Sequence, residues 1–214
     1  MFSSSPSNAP IQQPRRHRGV MAAVTVALAV TGVLAGTVPA AQATPHSRTS
    51  QCGGRGVDKD AVIRYESDVF IKASLSTIWK FQTDVERWPS WQAPVPPADR
   101  PDHGRLKAGS QSRWTTPAPA TPTPPATTLD IVSTVQELQR DKCILWSGPA
   151  IGEGLRIDEG VHLWTFKKVK GGVRVHTEET WTGDQVEADV PTATEALGWG
   201  LEGWLRDLKA AAEA

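Results

Sequence analysis

The sequence has few of the residues from which common metal and redox sites are built. Its 214 residues include two cysteines, two methionines and one tyrosine. Because Cys-x-x-Cys pairs and paired Cys/His spacings are missing, no zinc or other metal site is predicted, and no cofactor is expected. A nucleophile-elbow motif, G-x-S-x-G, is also missing, so nucleophilic hydrolysis has no support.

Charge of either sign is also not in excess. The chain carries 23 basic and 23 acidic residues, so its formal net charge is zero. A nucleic-acid-binding domain usually presents a basic face, and the sequence therefore predicts no nucleic-acid partner. Aromatic residues are unusually biased in type, with nine tryptophans against four phenylalanines.

Residues 1–43 are predicted to be a secretory signal peptide. Three arginines between positions 15 and 18 precede an apolar run from Val20 to Ala35, and the triplet Ala41-Gln42-Ala43 follows. That order is typical of a cleaved signal, and a membrane span would need roughly 20 apolar residues. We therefore expect cleavage near Ala43, a secreted or extracytoplasmic protein, and no stable membrane anchor after cleavage.

The remaining chain has the length of one domain, preceded by a polar, Gly-rich lead-in over residues 44–60 that is expected to be flexible. Both cysteines, Cys52 and Cys143, remain after cleavage. An even number of cysteines in an exported chain permits a disulfide. The alternative is two unpaired thiols, with Cys143 a small buried residue in a strand.

Alternation of apolar and polar residues predicts a sheet. A first strand is expected over 61–72, followed by a helix capped by Ser74 and a second short helical turn that ends at Trp88-Pro89. Further strands are predicted at 109–115, 129–138, 142–147, 160–169 and 173–182. The tract 116–128 contains five prolines and is expected to be a surface loop, and 148–160 a long loop at a rim.

The C-terminal residues predict a long amphipathic helix. Thr192 and Glu195 fit a capping box, and an apolar stripe runs from Leu197 through Leu201 and Trp204 to Leu208. Three glycines at 198, 200 and 203 interrupt the helix at a cost of about 1 kcal/mol each relative to alanine. We expect a compensating benefit, such as close approach of the helix to the sheet or to a ligand.

The order of these elements resembles the helix-grip fold of the START/Bet v 1-like superfamily (SRPBCC), which includes polyketide cyclases/dehydrases and lipid-transfer proteins. The segments that carry the resemblance are residues 69–91, 144–152, 160–166, 175–183 and 196–213. The resemblance implies an α+β domain over 61–213, in which a curved antiparallel sheet wraps around a long C-terminal helix. Two short helices follow the first strand, and the Thr/Pro-rich loop 116–128 is an insertion.

The resemblance also implies a cavity for a hydrophobic small molecule or lipid between the sheet and the last helix. Trp79, Trp88 and Trp91 would close one end of the cavity, or simply cap a core. The full set of residues predicted to bind the ligand is Trp79, Trp88, Trp91, Trp146, Trp164, Phe166, Trp181, Leu201 and Trp204.

Strand alternation places two polar residues, His162 and Glu179, on the same inward face as Trp164 and Trp181. A desolvated carboxylate beside an imidazole can act as an acid or base near neutral pH, which would suit a cyclase or dehydrase. The alternative is a buried polar pair with no turnover, since structural pairs perturb pKa values too. Three functions therefore remain open: a carrier of a hydrophobic ligand, an acid–base enzyme, and an interaction module with a filled core.

Overall fold

The computed structural model describes residues 51–92, 95–96, 98–102, 104–120 and 125–214. The predicted signal peptide lies outside the described residues, so its cleavage stays a prediction. No helix within the described residues is long and apolar enough to cross a membrane.

Six strands form one antiparallel sheet in the order β1-β6-β5-β4-β3-β2. The strands are β1 Ile63–Ile71, β2 Gln111–Ala118, β3 Thr127–Gln139, β4 Cys143–Gly152, β5 Leu155–Val169 and β6 Gly172–Thr182. The helices are α1 Leu75–Thr83, a 3₁₀ helix Val85–Ser90, α2 Asp184–Glu187 and α3 Val190–Glu213. This arrangement confirms the predicted helix-grip fold, with short helices after the first strand and the long helix at the C-terminus.

The sheet is curved, and two register irregularities mark where it bends. One lies in β3 between Val135 and Glu137, and the other lies in β4 between Gly148 and Ala150. Such bulges kink a strand and increase its local twist. At Gly148 a Cβ atom would lie 1.8 Å from the carbonyl oxygen of Val132. Only glycine therefore permits the close approach of β3 and β4 at this bend.

Helix α3 runs along β1 on the concave face of the sheet. The hydroxyl of Tyr65 donates to Oε1 of Glu202 at 3.2 Å, and Lys209 donates to the carbonyl oxygen of Phe70 at 2.7 Å. A Cβ atom on Gly198 would lie 2.8 Å from the ring of Tyr65. The expected benefit of a helix glycine, close approach to the sheet, is thus confirmed at Gly198.

The concave side holds two buried apolar clusters. The first, here called the aromatic cluster, lies toward α1 and includes Ile78, Trp88, Trp164, Phe166 and Leu205. The second, the aliphatic cluster, lies toward α2 and includes Ile63, Leu129, Ile157, Leu197 and Leu201. The core is therefore split along the axis of α3.

A third cluster lies on the convex face and ties down the start of the described chain. Cys52 and Cys143 form a disulfide bond with a Cα–Cα distance of 5.5 Å, which is one of the two alternatives that the sequence left open. Cys52 and Val57 pack against Leu145 and Leu163, and Arg55 donates to the carbonyl oxygen of Gln136 at 2.9 Å. In its described part, the predicted lead-in is therefore attached to the sheet and is not loose.

Three predictions differ from the structure by three residues or more. Asp189, not Thr192, caps α3, because its carboxylate accepts from the backbone N–H of Thr192 at 3.2 Å. The predicted rim loop over 148–160 is wrong, since β4 and β5 continue through it to a turn at residues 153 and 154. Strand β2 extends to Ala118 and includes Pro117, which is tolerated because β2 is an edge strand.

Candidate acid–base and ligand-binding site

The predicted polar pair forms on the concave face between the two clusters. His162 on β5 and Glu179 on β6 are directly opposite each other in the strand register. Nδ1 of His162 lies 3.0 Å from Oε2 of Glu179. The sequence prediction that these side chains share one face of adjacent strands is therefore confirmed.

Two further hydrogen bonds fix the orientation of the pair. Nε2 of His162 lies 2.7 Å from the hydroxyl oxygen of Thr177, and the indole N–H of Trp181 donates to Oε1 of Glu179 at 2.7 Å. Thr177 is fully buried. Because its hydroxyl can donate or accept, it is compatible with either neutral tautomer of His162.

Burial shifts both groups toward their neutral forms. It raises the pKa of Glu179 to about 7, although the hydrogen bond from Trp181 favours the carboxylate. It also lowers the pKa of His162 to about 3. Both side chains nevertheless retain access to solvent, with 15% of His162 and 16% of Glu179 exposed. Near neutral pH, the pair can therefore gain or lose one proton that an adjacent small molecule can reach.

Aromatic rings surround this pair. The ring centroid of His162 is 5.0 Å from that of Trp164 and 6.0 Å from that of Trp146. Trp181 borders Glu179, and a Cβ atom on Gly160 would lie 3.2 Å from Oε1 of Glu179. An apolar ligand beside the pair would thus meet rings and one ionisable group.

The aromatic cluster is built largely from tryptophans of distant parts of the chain. Trp88 packs edge-on against Trp114, Trp146 and Trp204, with centroid distances of 5.5, 5.8 and 4.9 Å. Trp91 packs against Trp204 at 5.6 Å. Edge-to-face packing at these distances is favourable for aromatic rings. The hollow, by which we mean the space between the concave face of the sheet and α3, is consequently occupied by side chains at its end toward α1.

The predicted ligand-binding residues are thus brought together on the concave side, but they differ in how deeply they are buried. Five of them are buried in the core: Trp88, Trp146, Trp164, Phe166 and Leu201. Four are partly exposed: Trp79, Trp91, Trp181 and Trp204. Their role in binding stays a prediction.

Sequence reasoning missed three side chains that shape the site. Trp114 lies in a predicted strand and was not assigned to the site, yet its ring is 5.7 Å from that of Trp204. Gln82 is fully buried on α1, where its Oε1 accepts from the indole N–H of Trp204 at 3.1 Å. Tyr65 shares its register position with Glu179. Only strand alternation could have indicated Tyr65 and Trp114, and no local pattern indicates Gln82.

Two surface pockets stand out among the described residues, and neither lies at the polar pair. One, of about 440 Å³, is at the start of α1 beside Lys72, Ser74 and Gly172. The other lies beside Thr127 and Glu153. The residues predicted to bind ligand line neither of them.

One group on the convex face has the composition of a metal site. Glu66, His176 and Glu178 place ligand atoms within 4.8 Å of one another. The guanidinium of Arg64, however, already binds Glu178 at 2.6 Å and Glu66 at 2.7 Å. We therefore interpret this group as an ion-pair network on the face opposite the polar pair.

Comparison with known proteins agrees with this architecture. Residues 62–213 match the model of a family described as polyketide cyclase / dehydrase and lipid transport. The chain belongs to this family. The resemblance to the START/Bet v 1-like superfamily is thereby confirmed. No curated protein matches the sequence.

Several solved structures share the fold at low sequence identity. A START superfamily protein from Mycobacterium smegmatis is 15% identical over 70% of this chain and 97% of its own, with a TM-score of 0.53. A protein from Thermus thermophilus, TTHA0849, is also 15% identical, over 70% of this chain and 96% of its own, with a TM-score of 0.53. The di-domain ARO/CYC protein StfQ of the steffimycin biosynthetic pathway is 18% identical over 71% of this chain and 50% of its own, with a TM-score of 0.52. At these identities the likeness establishes the fold alone.

Proposed function

We propose that this is an exported protein that binds a hydrophobic small molecule or lipid between the concave face of the sheet and α3. One observation carries the proposal: His162 and Glu179 face inward, yet 15% and 16% of their side chains remain exposed. Inward-facing side chains that stay accessible indicate room beside them for a ligand. Family membership supports the same conclusion.

Export is supported by the disulfide as well as by the signal-like N-terminus. Cys52 and Cys143 are 0% and 3% exposed, and their bond joins segments 91 residues apart. Structural disulfides of this kind persist in oxidising compartments and are rare in the cytosol. Cleavage after Ala43 predicts that the intact mass of the exported protein is the mass of a chain that begins at Thr44.

The second candidate is an acid–base enzyme that uses the same pair. The geometry favours it because Glu179 can exchange a proton near pH 7 while hydrogen-bonded to a neutral imidazole. A carboxylate of that pKa is well matched to remove a proton from carbon next to a ketone at neutral pH. His162 and Thr177 would hold the carboxylate in place during the transfer.

One probe tests both candidates. A polarity-sensitive naphthyl ketone dye, 6-propionyl-2-(dimethylamino)naphthalene, should bind with a Kd on the order of micromolar and shift its emission to shorter wavelength. Acid–base activity would exchange the protons next to its carbonyl for deuterium in heavy water, which mass spectrometry detects. Lipid extracted from the purified protein and analysed by mass spectrometry would identify a natural ligand.

Glu179→Gln is the deciding variant, and Glu159→Gln, on an exposed position of β5, is its matched control. In an enzyme, Glu179→Gln abolishes the exchange and leaves dye binding nearly intact, while Glu159→Gln changes neither. In a carrier, no variant affects exchange because none occurs. If the dye does not bind and no ligand is extracted, the protein is an interaction module with a filled core, and the proposal is wrong.

A further inference from the structure

Trp204 occupies the centre of the aromatic cluster. Its ring lies 4.9 Å from that of Trp88, 5.6 Å from Trp91, 5.7 Å from Trp114 and 6.5 Å from Trp164. Trp88 and Trp164 are almost completely buried, whereas Trp204 remains partly exposed. Trp204 is therefore, with Trp91 and Trp114, one of the rings of this cluster that reach the surface.

Three buried N–H donors around Trp204 have no hydrogen-bond partner among the described residues. They are the side-chain amide nitrogen of Gln82 and the indole nitrogens of Trp91 and Trp164. Each of these residues neighbours Trp204, and Gln82 and Trp164 are 0% exposed. Buried donors are nearly always satisfied in folded proteins, so three together indicate that an acceptor belongs in this region.

The turn of α3 that carries Trp204 contains two glycines without a packing role. Among the described residues, a Cβ atom on Gly200 would meet nothing within 4 Å, and one on Gly203 would meet only the end of the Arg206 side chain at 3.6 Å. Gly198 differs, because Tyr65 leaves no room for a Cβ atom there. Glycine loosens a helix where it is not needed for close packing, so Gly200 and Gly203 make this turn easier to deform.

We propose that Trp204 occupies the inner end of the ligand site in the unliganded protein, and that a ligand with a flat apolar ring and an acceptor oxygen takes its place. This inference rests on the proposed function and specifies the ligand class for the same site. The glycine-containing turn deforms and Trp204 moves outward. The ligand ring then packs against Trp88 and Trp164, and its oxygen accepts from the donors of Gln82, Trp91 or Trp164.

Deformation of the glycine-containing turn of α3 is tested with the double variant Gly200→Ala/Gly203→Ala. A Cβ atom fits at both positions without a clash. The double variant should melt at a higher temperature than the wild type and yet bind the naphthyl ketone dye about tenfold more weakly, because the open state becomes rarer. A purely structural role for this turn predicts the same stabilisation with unchanged binding. Stability and affinity therefore move in opposite directions only if the turn has to open.

The ring is tested with Trp204→Phe, and Trp199→Phe is its control because Trp199 lies on the same helix with 60% of its surface exposed. Removing part of the competing ring should tighten dye binding about tenfold, by lowering the cost of the open state. Trp199→Phe should leave the affinity unchanged.

The role of the ligand oxygen is tested by competition between 2-acetylnaphthalene and 2-isopropenylnaphthalene, which have nearly the same shape because a CH₂ group replaces the carbonyl oxygen. The ketone should displace the dye at about tenfold lower concentration, since only it can accept from the unpartnered donors. Equal competition, tighter binding of a straight-chain fatty acid, or wild-type affinity in both glycine and Trp204 variants would overturn this inference while the proposed function stands. If the wild type binds no dye at all, the proposed function fails and this inference fails with it.

Discussion

Reducing the Cys52–Cys143 bond should destabilise the protein substantially. The bond closes a loop with a sequence separation of 91 residues, which contains β1, α1, β2 and β3. In the chain-entropy model, a cross-link stabilises the fold by limiting the freedom of the unfolded chain, and the effect increases with loop length. For about 91 residues the model gives about 4.6 kcal/mol at 25 °C.

The same quantity can be expressed as a melting temperature. A domain of this size loses roughly 2–4 °C per kcal/mol, so reduction should lower Tm by roughly 9–18 °C. Urea unfolding with and without a phosphine reductant measures the free energy directly. The slope of the unfolding free energy against urea should also increase, because the reduced unfolded chain exposes more surface.

Reduction is preferable to mutation because both sulfur atoms stay in the convex-face cluster. The double variant Cys52→Ala/Cys143→Ala serves as the control, since the reductant should not change its stability. A loss below about 1 kcal/mol on reduction would refute the reasoning. So small a loss would mean that the reduced unfolded chain is already compact, or that the segment 51–57 contributes nothing to the free energy of unfolding once it is released.

Two further predictions concern the concave face. Because the folded protein binds the Glu179 proton more tightly than the unfolded chain, this group's contribution to stability falls as the pH rises from 4.5 to about 7. Glu179→Gln should therefore gain about 3 kcal/mol relative to wild type across that range in urea unfolding, and parallel pH profiles would contradict the assignment. Gly198→Ala should destabilise by about 1–3 kcal/mol, because the new Cβ atom would lie 2.8 Å from the Tyr65 ring. Gly200→Ala is its control and should stabilise by about 0.5–1 kcal/mol; equal melting temperatures for the two variants would show that Tyr65 moves freely.

The sequence predicted features that depend on local periodicity. Alternation of side chains along a strand is strict, so His162 and Glu179 could be placed on the inward face before their partners were known. The strands predicted at 160–169 and 173–182 then pair as neighbours, as the register between Val169 and Gly172 shows. Membership of the fold class followed from the order of the elements.

Features that depend on competition between candidate helix caps, or on the curvature of the sheet, could not be predicted in the same way. Thr192 has a capping-box pattern, but Asp189 lies three residues earlier and its carboxylate accepts from the same helix turn. Residues 148–160 were expected to form a rim loop, whereas Gly148 serves a bulge inside a long hairpin. The meeting of Trp88, Trp114 and Trp204 depends on how far this bend carries β2 around α3, and no short segment of sequence contains that information.

Trp164 links the proposed ligand site at Trp204 to the His162–Glu179 pair. The ring of Trp164 lies 6.5 Å from that of Trp204 and 5.0 Å from that of His162, so it neighbours both. On the proposed geometry, a two-ring ligand in the place of Trp204 would contact Trp164 and extend toward the His162–Glu179 pair. A carbonyl held by Gln82 or Trp91 would then point away from the pair, and the carbons on the opposite side of the ligand would face it. Deuterium exchange next to the dye's carbonyl therefore requires that the carbonyl accept from Trp164, the unpartnered donor whose ring borders His162, whereas a dye anchored at Gln82 or Trp91 would bind without exchange.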